Sequence, residues 1–355
     1  MNILKKYWPD LLAIALFVVI AFAYFFVPVT QGKVLFQHDA AASVGLNHEL
    51  TQFHEQTGEE TLWTNSVFGG MPTYQIAPSY QSTKGLSAIM GTYHLWLPNY
   101  VWFLFAYLLG FYIMLRAFDF RQSLAALGSV VWAFSSYFLI IIAAGHLWKV
   151  AALAYLPPMI GGIVLAYRGK YLAGLAVTAI FAAFEIKANH AQMTYYYFFV
   201  VFFMLIAYLY QAIRDKQISR FLKATGVCVV AAGIALAINA SNLYHTWEYQ
   251  KDSMRGKSEL TSKGNAANQT NSGLDRDYIT QWSYGIGETW TLLIPNAKGG
   301  SHNEKLGNNK SAMQASDPQL ADVCSQWYQY WGDKPFTAGH VYVGAFVLML
   351  FILGI

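Results

Sequence analysis

The polar side chains that suit chemistry fall at three short points of the sequence, each beside a long apolar run. Asp39, preceded by His38, comes ten residues after Val29, where the first run ends. The other two points are Gly145-His146-Leu147-Trp148-Lys149 and Glu185-Ile186-Lys187-Ala188-Asn189-His190-Ala191-Gln192. Ionisable groups at the edge of hydrocarbon are costly, and they usually face a cavity or a partner rather than lipid. We therefore expect these side chains to meet a polar group at a membrane surface.

Each of these points also has an interpretation without chemistry. Asp39 fits a helix N-cap or a solvated acid. Lysine side chains near a helix end reach the membrane surface, and tryptophan and tyrosine form a belt there. We favour the belt for Trp148 and for the tyrosines that begin at Tyr195. For Glu185 and His190 we favour a site, because so many polar residues do not suit a lipid-facing connection.

The rest of the chain consists largely of apolar runs that are long enough to cross a bilayer. Of its 355 residues, 55% are hydrophobic and only 12% are charged, against about 25% charged in a typical soluble domain. Runs of about twenty residues match a hydrocarbon core ~30 Å thick. This pattern excludes a soluble enzyme, a disordered chain and a secreted disulfide scaffold. The net charge of +4 gives no case for nucleic-acid binding.

The runs predict an all-α polytopic membrane protein with about eight transmembrane helices. Residues 1–240 form the predicted transmembrane module, with spans at about 10–29, 98–117, 121–144, 148–167, 170–185, 191–211 and 221–240. The run that starts at 339 is still apolar at Ile355, so we expect residues 339–355 to begin a further helix of a longer protein. The first run ends in bulky residues without a small-residue cleavage site, so we interpret it as an uncleaved helix.

Lysine and arginine predict the orientation in the cytoplasmic membrane. With the amino terminus inside, every short inner connection carries at least two cations. These are Lys5, Lys6, Arg116, Arg121, Arg168, Lys170, Arg214, Lys216, Arg220 and Lys223. The short outer connections carry only Lys149 and Lys187. The positive-inside rule therefore places two long segments, residues 30–97 and 241–338, outside as large loops.

The second outer segment combines a predicted mobile loop with an aromatic stretch. Residues 262–273 are rich in Gly, Asn and Ser, which is typical of a lid or a linker. Trp282, Tyr284 and Glu288 follow, and such residues suit either a sugar-binding cleft or a membrane interface. The sequence holds no phosphate-binding Gly-rich motif, no nucleophile elbow and no zinc-ligand spacing. Any chemistry is therefore expected from carboxylates, histidines and cations at the outer rim.

Taken together, the short motifs of the chain resemble those of the YfhO family of bacterial membrane proteins, in the long form found in Bacteroidetes. The matching motifs are Phe36-Gln37-His38-Asp39, Phe68-Gly69-Gly70-Met71-Pro72, Gly145-His146 with Lys149, Asn189-His190-Ala191-Gln192, Arg255-Gly256, Leu293-Ile294-Pro295-Asn296 and Gly299-Gly300. The resemblance spans essentially the whole chain. The YfhO family is itself similar to the GT-C membrane glycosyltransferases.

The resemblance implies a GT-C-like fold and a glycosyltransferase of the outer membrane face. Such an enzyme transfers a sugar from a polyprenyl-phosphate donor to a cell-envelope polymer or glycolipid acceptor, and Asp39 is the implied general base. The residues implied to bind the donor phosphate or the substrate are His146, Lys149, Glu185, Lys187, His190, Gln192 and Arg255. Those implied for the acceptor or sugar are His38, Tyr195, Trp282, Tyr284 and Glu288.

The resemblance leaves the cofactor open. Many GT-C enzymes carry a paired acidic motif, but here His38 stands beside the single Asp39. This departure favours a metal-independent mechanism, and Mg²⁺ or Mn²⁺ remains an alternative.

Two other functions fit a chain with many spans and charges at their edges. One is a transporter or flippase for a lipid-linked intermediate, and the other is a non-catalytic envelope assembly protein. Transporters commonly place their binding groups near the bilayer midplane. Here nearly all polar groups are predicted at the outer rim, which favours the enzyme.

Overall fold

The computed structural model describes residues 3–253, 276–337 and 339–354. Of the described residues, 71% are helical. Within the described ranges, five helices are long and apolar enough to cross a membrane, or six if one broken pair counts as a single span. The structure thus agrees with an all-α polytopic membrane protein, although eight spans were expected.

The long helices follow apolar runs of the sequence, and shorter helices lie between them. In the first half they are α1 (Ile3–Tyr24), α2 (Phe26–Thr30), α3 (His38–Leu46), α4 (His48–Thr57), α5 (Gln81–Tyr93), α6 (Asn99–Ala117), α7 (Gln122–Ala133), α8 (Ser136–Ala144) and α9 (Leu147–Tyr167). In the second half they are α10 (Tyr171–Lys187), α11 (Ala191–Arg214), α12 (Ile218–Ile238), α13 (Ala240–Tyr249), α14 (Arg276–Thr280), α15 (Lys310–Ala315), α16 (Ala321–Ser325) and α17 (Ala345–Gly354). Two short strands, β1 (Trp63–Thr64) and β2 (Met71–Pro72), pair antiparallel, with Trp63 opposite Pro72.

The structure divides into two compact units. The first comprises Met1–Phe134 and Gly145–His245, and the second comprises Ser135–Ala144 and Thr246–Ile355. The predicted span 121–144 is therefore not one continuous helix, because α7 ends in the first unit and α8 belongs to the second. In the second unit, the Ser136 hydroxyl accepts the backbone N–H of Tyr342 at 2.7 Å and donates to its carbonyl at 3.1 Å. Backbone groups distant in sequence thus hold the start of α8.

Helix α9 lies at the centre of the first unit, between α6 on one side and α10 and α12 on the other. Glycines allow the close approach of these backbones. A Cβ on Gly110 would lie 2.7 Å from the carbonyl oxygen of Ala154, and a Cβ on Gly162 would lie 2.5 Å from the backbone nitrogen of Thr178. Small residues at helix interfaces are typical of membrane proteins, where close packing replaces the hydrophobic effect as the driving force.

The helices of this unit share two common ends, which we name by neighbouring residues. At the His146 end, α9 and α11 begin and α10 and α12 finish. At the Arg168 end, α9 and α11 finish and α10 and α12 begin. Contacts near both ends of α10 agree with this antiparallel order: Gly174 packs on Ala166, and the Asn239 amide donates to the carbonyl of Ala183 at 3.1 Å.

The segment after α2 folds at the His146 end around one carboxylate. Glu49, on α4, accepts the hydroxyl of Thr64 and the backbone N–H groups of Asn65 and Ser66, the latter two at 2.8 and 3.0 Å. The hydrogen bond from Thr64 is the largest of the effects that lower the pKa of Glu49, while partial desolvation opposes them. Glu49 therefore fixes the turn that follows β1, close to the Gly69-Gly70 pair.

Candidate functional site

Asp39 and His146 come together in the first unit. Oδ2 of Asp39 lies 3.2 Å from Nδ1 of His146, which is hydrogen-bond distance. The two side chains are 54% and 49% exposed, so the pair stands at a surface that a substrate can reach. Sequence analysis proposed both residues from separate motifs, and the fold places them in direct contact.

The chain positions this pair through a helix start and a glycine turn. Asp39 lies in the first turn of α3, where the helix dipole favours a carboxylate. Gly145 precedes His146 and adopts a left-handed φ of +87°. A Cβ at Gly145 would lie 3.0 Å from Cβ of Gln37 and 3.3 Å from the backbone nitrogen of Ala40. The turn before α9 therefore abuts the first residues of α3, and this contact holds Asp39 beside His146.

Lys149 and His190 belong to the same electrostatic neighbourhood. Burial lowers the pKa of His146, the charge of Asp39 opposes this effect, and the charge of Lys149 adds to it. Burial also lowers the pKa of His190, as do the charges of Lys149 and His146. In the described ranges, no carboxylate lies within 4.0 Å of the Lys149 or Lys187 ammonium group. The neighbourhood thus offers ammonium and imidazole donors to an anion.

Glu185 differs from these residues because it is buried. Its side chain is only 3% exposed, and one carboxylate oxygen accepts the hydroxyl of Thr194 at 2.9 Å. Glu185 therefore connects α10 to α11, whereas Lys187 is the last residue of α10. Sequence reasoning missed the role of Thr194, since a threonine one turn into an apolar helix has no distinctive pattern.

The remaining predicted residues of the first unit lie around the helix starts. His38 is the first residue of α3, and the Gln192 amide donates to the Tyr196 hydroxyl at 2.8 Å. Tyr195 is exposed and meets the ring of Phe199 edge-on at 5.0 Å. Arg255 and the predicted loop 262–273 lie outside the described residues.

Glu288 lies in the second unit and has a structural role there. Its side chain is completely buried, and its carboxylate accepts the backbone N–H of Gly285 and the hydroxyl of Tyr330, both at 2.7 Å. Nδ1 of His340 lies 3.8 Å away. These partners hold Glu288 against Gly285 and Tyr330, and its role in sugar binding stays a prediction.

The side chains of Trp282 and Tyr284, the two predicted aromatic residues of the second unit, each contact another side chain of that unit. Trp282 meets Phe336 edge-on at 4.4 Å, and the Lys334 ammonium lies 3.9 Å from the centre of the Tyr284 ring. Both rings remain partly exposed. Both residues belong to the second unit.

The described residues do not form a multidentate metal centre. No group of three or more His, Cys, Asp or Glu side chains in those ranges is placed to hold a metal ion. Asp39 and His146 supply two adjacent oxygen and nitrogen groups that suit binding or proton transfer.

The fold and the site formed by Asp39 and His146 define a class of protein. It is a helical, membrane-type protein with polar groups at one end of its apolar helices. The chain matches no protein-family model, no curated protein sequence and no solved structure. Its function must therefore be inferred from its own residues.

Proposed function

We propose that the chain is an integral membrane glycosyltransferase that uses a polyprenyl-phosphate sugar as its donor. The acceptor is a hydroxyl of a cell-envelope polymer or glycolipid, at the outer face of the cytoplasmic membrane. The observation that carries this proposal is the contact between Asp39 and His146 beside the Lys149 ammonium. It combines a base for a hydroxyl with donors for a phosphate, at the end of helices long enough to span a bilayer.

The proposed reaction requires one proton acceptor and a stabilised leaving group. Asp39 takes the proton of the acceptor hydroxyl while that oxygen forms a bond to the anomeric carbon. The bond between this carbon and the phosphate oxygen breaks, and its electron pair leaves with the polyprenyl phosphate. The contact of His146 Nδ1 with Oδ2 of Asp39 orients the carboxylate, so that Oδ1 faces the acceptor.

The leaving phosphate gains negative charge as the sugar departs. Lys149, Lys187 and His190 are the groups proposed to receive it, because ammonium and imidazole N–H groups form strong charge-assisted hydrogen bonds with phosphate. The lipid tail of such a donor stays in the bilayer, so its phosphate sits at the depth where these helices begin and end. No metal ion is needed for this step, since the cations of the chain itself meet the phosphate.

The proposal is tested by sugar transfer in proteoliposomes. The substrates are a polyprenyl-phosphate hexose with a radiolabelled sugar and extracted envelope glycolipid. We expect Asp39→Asn to reduce transfer by about 10²–10⁴-fold, the usual contribution of a general base. Glu55→Gln, which alters an exposed carboxylate on α4, is the matched control and should retain wild-type transfer.

Two results would contradict the proposal. Asp39→Asn with full activity and a wild-type melting temperature would remove Asp39 as the base. Wild-type protein that moves the labelled donor across the bilayer without transferring sugar would instead be a transporter.

A further inference from the structure

The Arg168 end of the first unit holds a cavity that the proposed reaction does not use. Its volume is about 180 Å³, and it lies between the ends of α9 and α11 and the start of α12. Its lining includes Tyr167, Arg168, Tyr208, Asp215, Arg220 and Phe221, together with two glutamine carboxamides. Because α9 has 21 residues, this cavity is roughly 30 Å from His146 along the helix. It therefore lies at the opposite membrane surface from the Asp39 pair.

The charges around the cavity leave one arginine uncompensated. Arg168 forms an ion pair with Asp119 and donates to the carbonyl of Ala117 at 2.7 Å. Asp215 is paired with Arg214 at 2.9 Å. Arg220, in contrast, has no carboxylate within 4.0 Å in the described part of the chain. The cavity thus presents a free guanidinium and carboxamide groups to whatever enters it.

Tyr167, Tyr208 and Phe221 form an aromatic part of the lining, which we call the floor of the cavity. The rings of Tyr167 and Tyr208 stack at 4.0 Å with an angle of 7° between their planes. The Tyr167 hydroxyl also shares a hydrogen bond of 2.8 Å with Thr225, and Phe221 packs against the Tyr167 ring at 5.7 Å. Tyrosine rings at the end of a membrane helix lie at the level of lipid headgroups. The cavity therefore has a polar rim over an apolar floor at headgroup depth.

We propose that this cavity binds the phosphate headgroup of an anionic phospholipid. Basic pockets between transmembrane helices are known to hold such headgroups. A guanidinium matches a phosphate with two parallel hydrogen bonds, and Arg220 is the group placed to form them. The volume suits a phosphate and its glycerol rather than a drug-sized ligand, which needs about 300 Å³ or more. The acyl chains would leave along the tyrosine floor into the bilayer.

The test is a lipid titration of the full chain in a neutral detergent. Short-chain phosphatidylglycerol is compared with phosphatidylcholine of the same chain length, and binding is followed by intrinsic fluorescence and by the melting temperature. We expect saturable binding that favours phosphatidylglycerol by about tenfold or more, the equivalent of one charge-assisted hydrogen bond. The rise in melting temperature should follow the same preference.

The decisive variant is Arg220→Gln, and Lys223→Gln is its matched control. Both lie on α12 and remove one positive charge, but Lys223 does not line the cavity. Arg220→Gln should abolish the preference for phosphatidylglycerol, while Lys223→Gln should keep it. Arg220→Lys retains the charge but loses the planar guanidinium, so it should weaken the preference for phosphatidylglycerol. This variant provides the test if Arg220→Gln does not fold.

Three outcomes would overturn the proposal. An equal loss in the Arg220 and Lys223 variants would show general attraction to negative charge. Equal binding of the two lipids by the wild type would show no headgroup selectivity. Inorganic phosphate that displaces phosphatidylglycerol and produces the full rise in melting temperature would identify a site for the free anion instead.

Discussion

The imidazole of His146 lies 3.2 Å from the carboxylate of Asp39, and the charge of this carboxylate opposes the effect of burial on the pKa of His146. Burial lowers the pKa of His146, and the negative charge of Asp39 raises it. Asp39→Asn removes only the second effect. We therefore expect this variant to lower the pKa of His146 further, so that the imidazole charges at a more acidic pH.

Nuclear magnetic resonance of labelled histidine measures this pKa directly. Lys149→Gln should have the opposite effect, because the Lys149 charge lowers the pKa of His146. An unchanged His146 titration in both variants would mean that the two charges do not act on the imidazole.

Gly145 is expected to be necessary for the geometry of the Asp39 pair. An alanine there has a left-handed φ of +87° and a Cβ 3.0 Å from that of Gln37. Gly58→Ala is the control for backbone strain alone, since Gly58 has a φ of +72° and nothing within 4 Å of its Cβ position. Each variant should lose about 1–2 kcal/mol of stability from its backbone.

Only Gly145→Ala should also separate Asp39 from His146, which would appear as a lower His146 pKa and reduced sugar transfer. Identical His146 titrations in the two alanine variants would show that the turn does not position the pair.

The contact between α9 and α10 is expected to tolerate no added methyl group. A Cβ on Gly162 would lie 2.5 Å from the backbone nitrogen and the hydroxyl of Thr178, so the two helices must move apart. We expect Gly162→Ala to reduce the free energy of unfolding by about 1–3 kcal/mol. Gly226→Ala on α12 meets no atom within 4 Å and should leave stability unchanged or slightly higher. Thermal unfolding in detergent compares them, and equal melting temperatures would contradict the close packing.

The burial of His94 leads us to expect that the protein loses stability in mild acid. It is 7% exposed, stacks on Trp102 at 3.9 Å and shares a hydrogen bond of 2.8 Å with the Tyr155 hydroxyl. Burial lowers its pKa from 6.5 to about 4. The pKa of His94 is lower in the folded protein than in the unfolded chain, so the fold favours the neutral imidazole. The contribution of His94 to the free energy of unfolding is therefore fully present above pH 6.5 and is lost as the pH falls toward 4. The whole effect is on the order of 3 kcal/mol.

Melting temperatures between pH 7 and pH 4 test this prediction. His94→Phe should be less stable at neutral pH, because the buried Tyr155 hydroxyl loses its partner, and should show a weaker dependence on pH. His48→Gln, at an exposed histidine, should keep the wild-type dependence. A wild-type slope in the phenylalanine variant would mean that other groups cause the acid sensitivity.

The sequence alone located several of the long apolar helices. The predicted spans 148–167 and 191–211 correspond to α9 (Leu147–Tyr167) and α11 (Ala191–Arg214). Such agreement is expected because the length of an apolar run is a local property, set by the cost of placing charges and open backbone in hydrocarbon. The polar residues at the edges of these runs could also be recognised from the sequence, because the edge of an apolar run is a local property too.

Only the tertiary structure decided what those residues contact. Asp39 and His146 are distant in sequence, and they meet because Gly145 permits a close approach of α3 and α9. Glu185 has a residue type that suits chemistry, yet packing turns it into the protein interior. The start of α8 likewise makes a long-range contact, the hydrogen bond between Ser136 and Tyr342. Apolar periodicity does not predict such long-range contacts, because side-chain direction and burial depend on how the helices pack against one another.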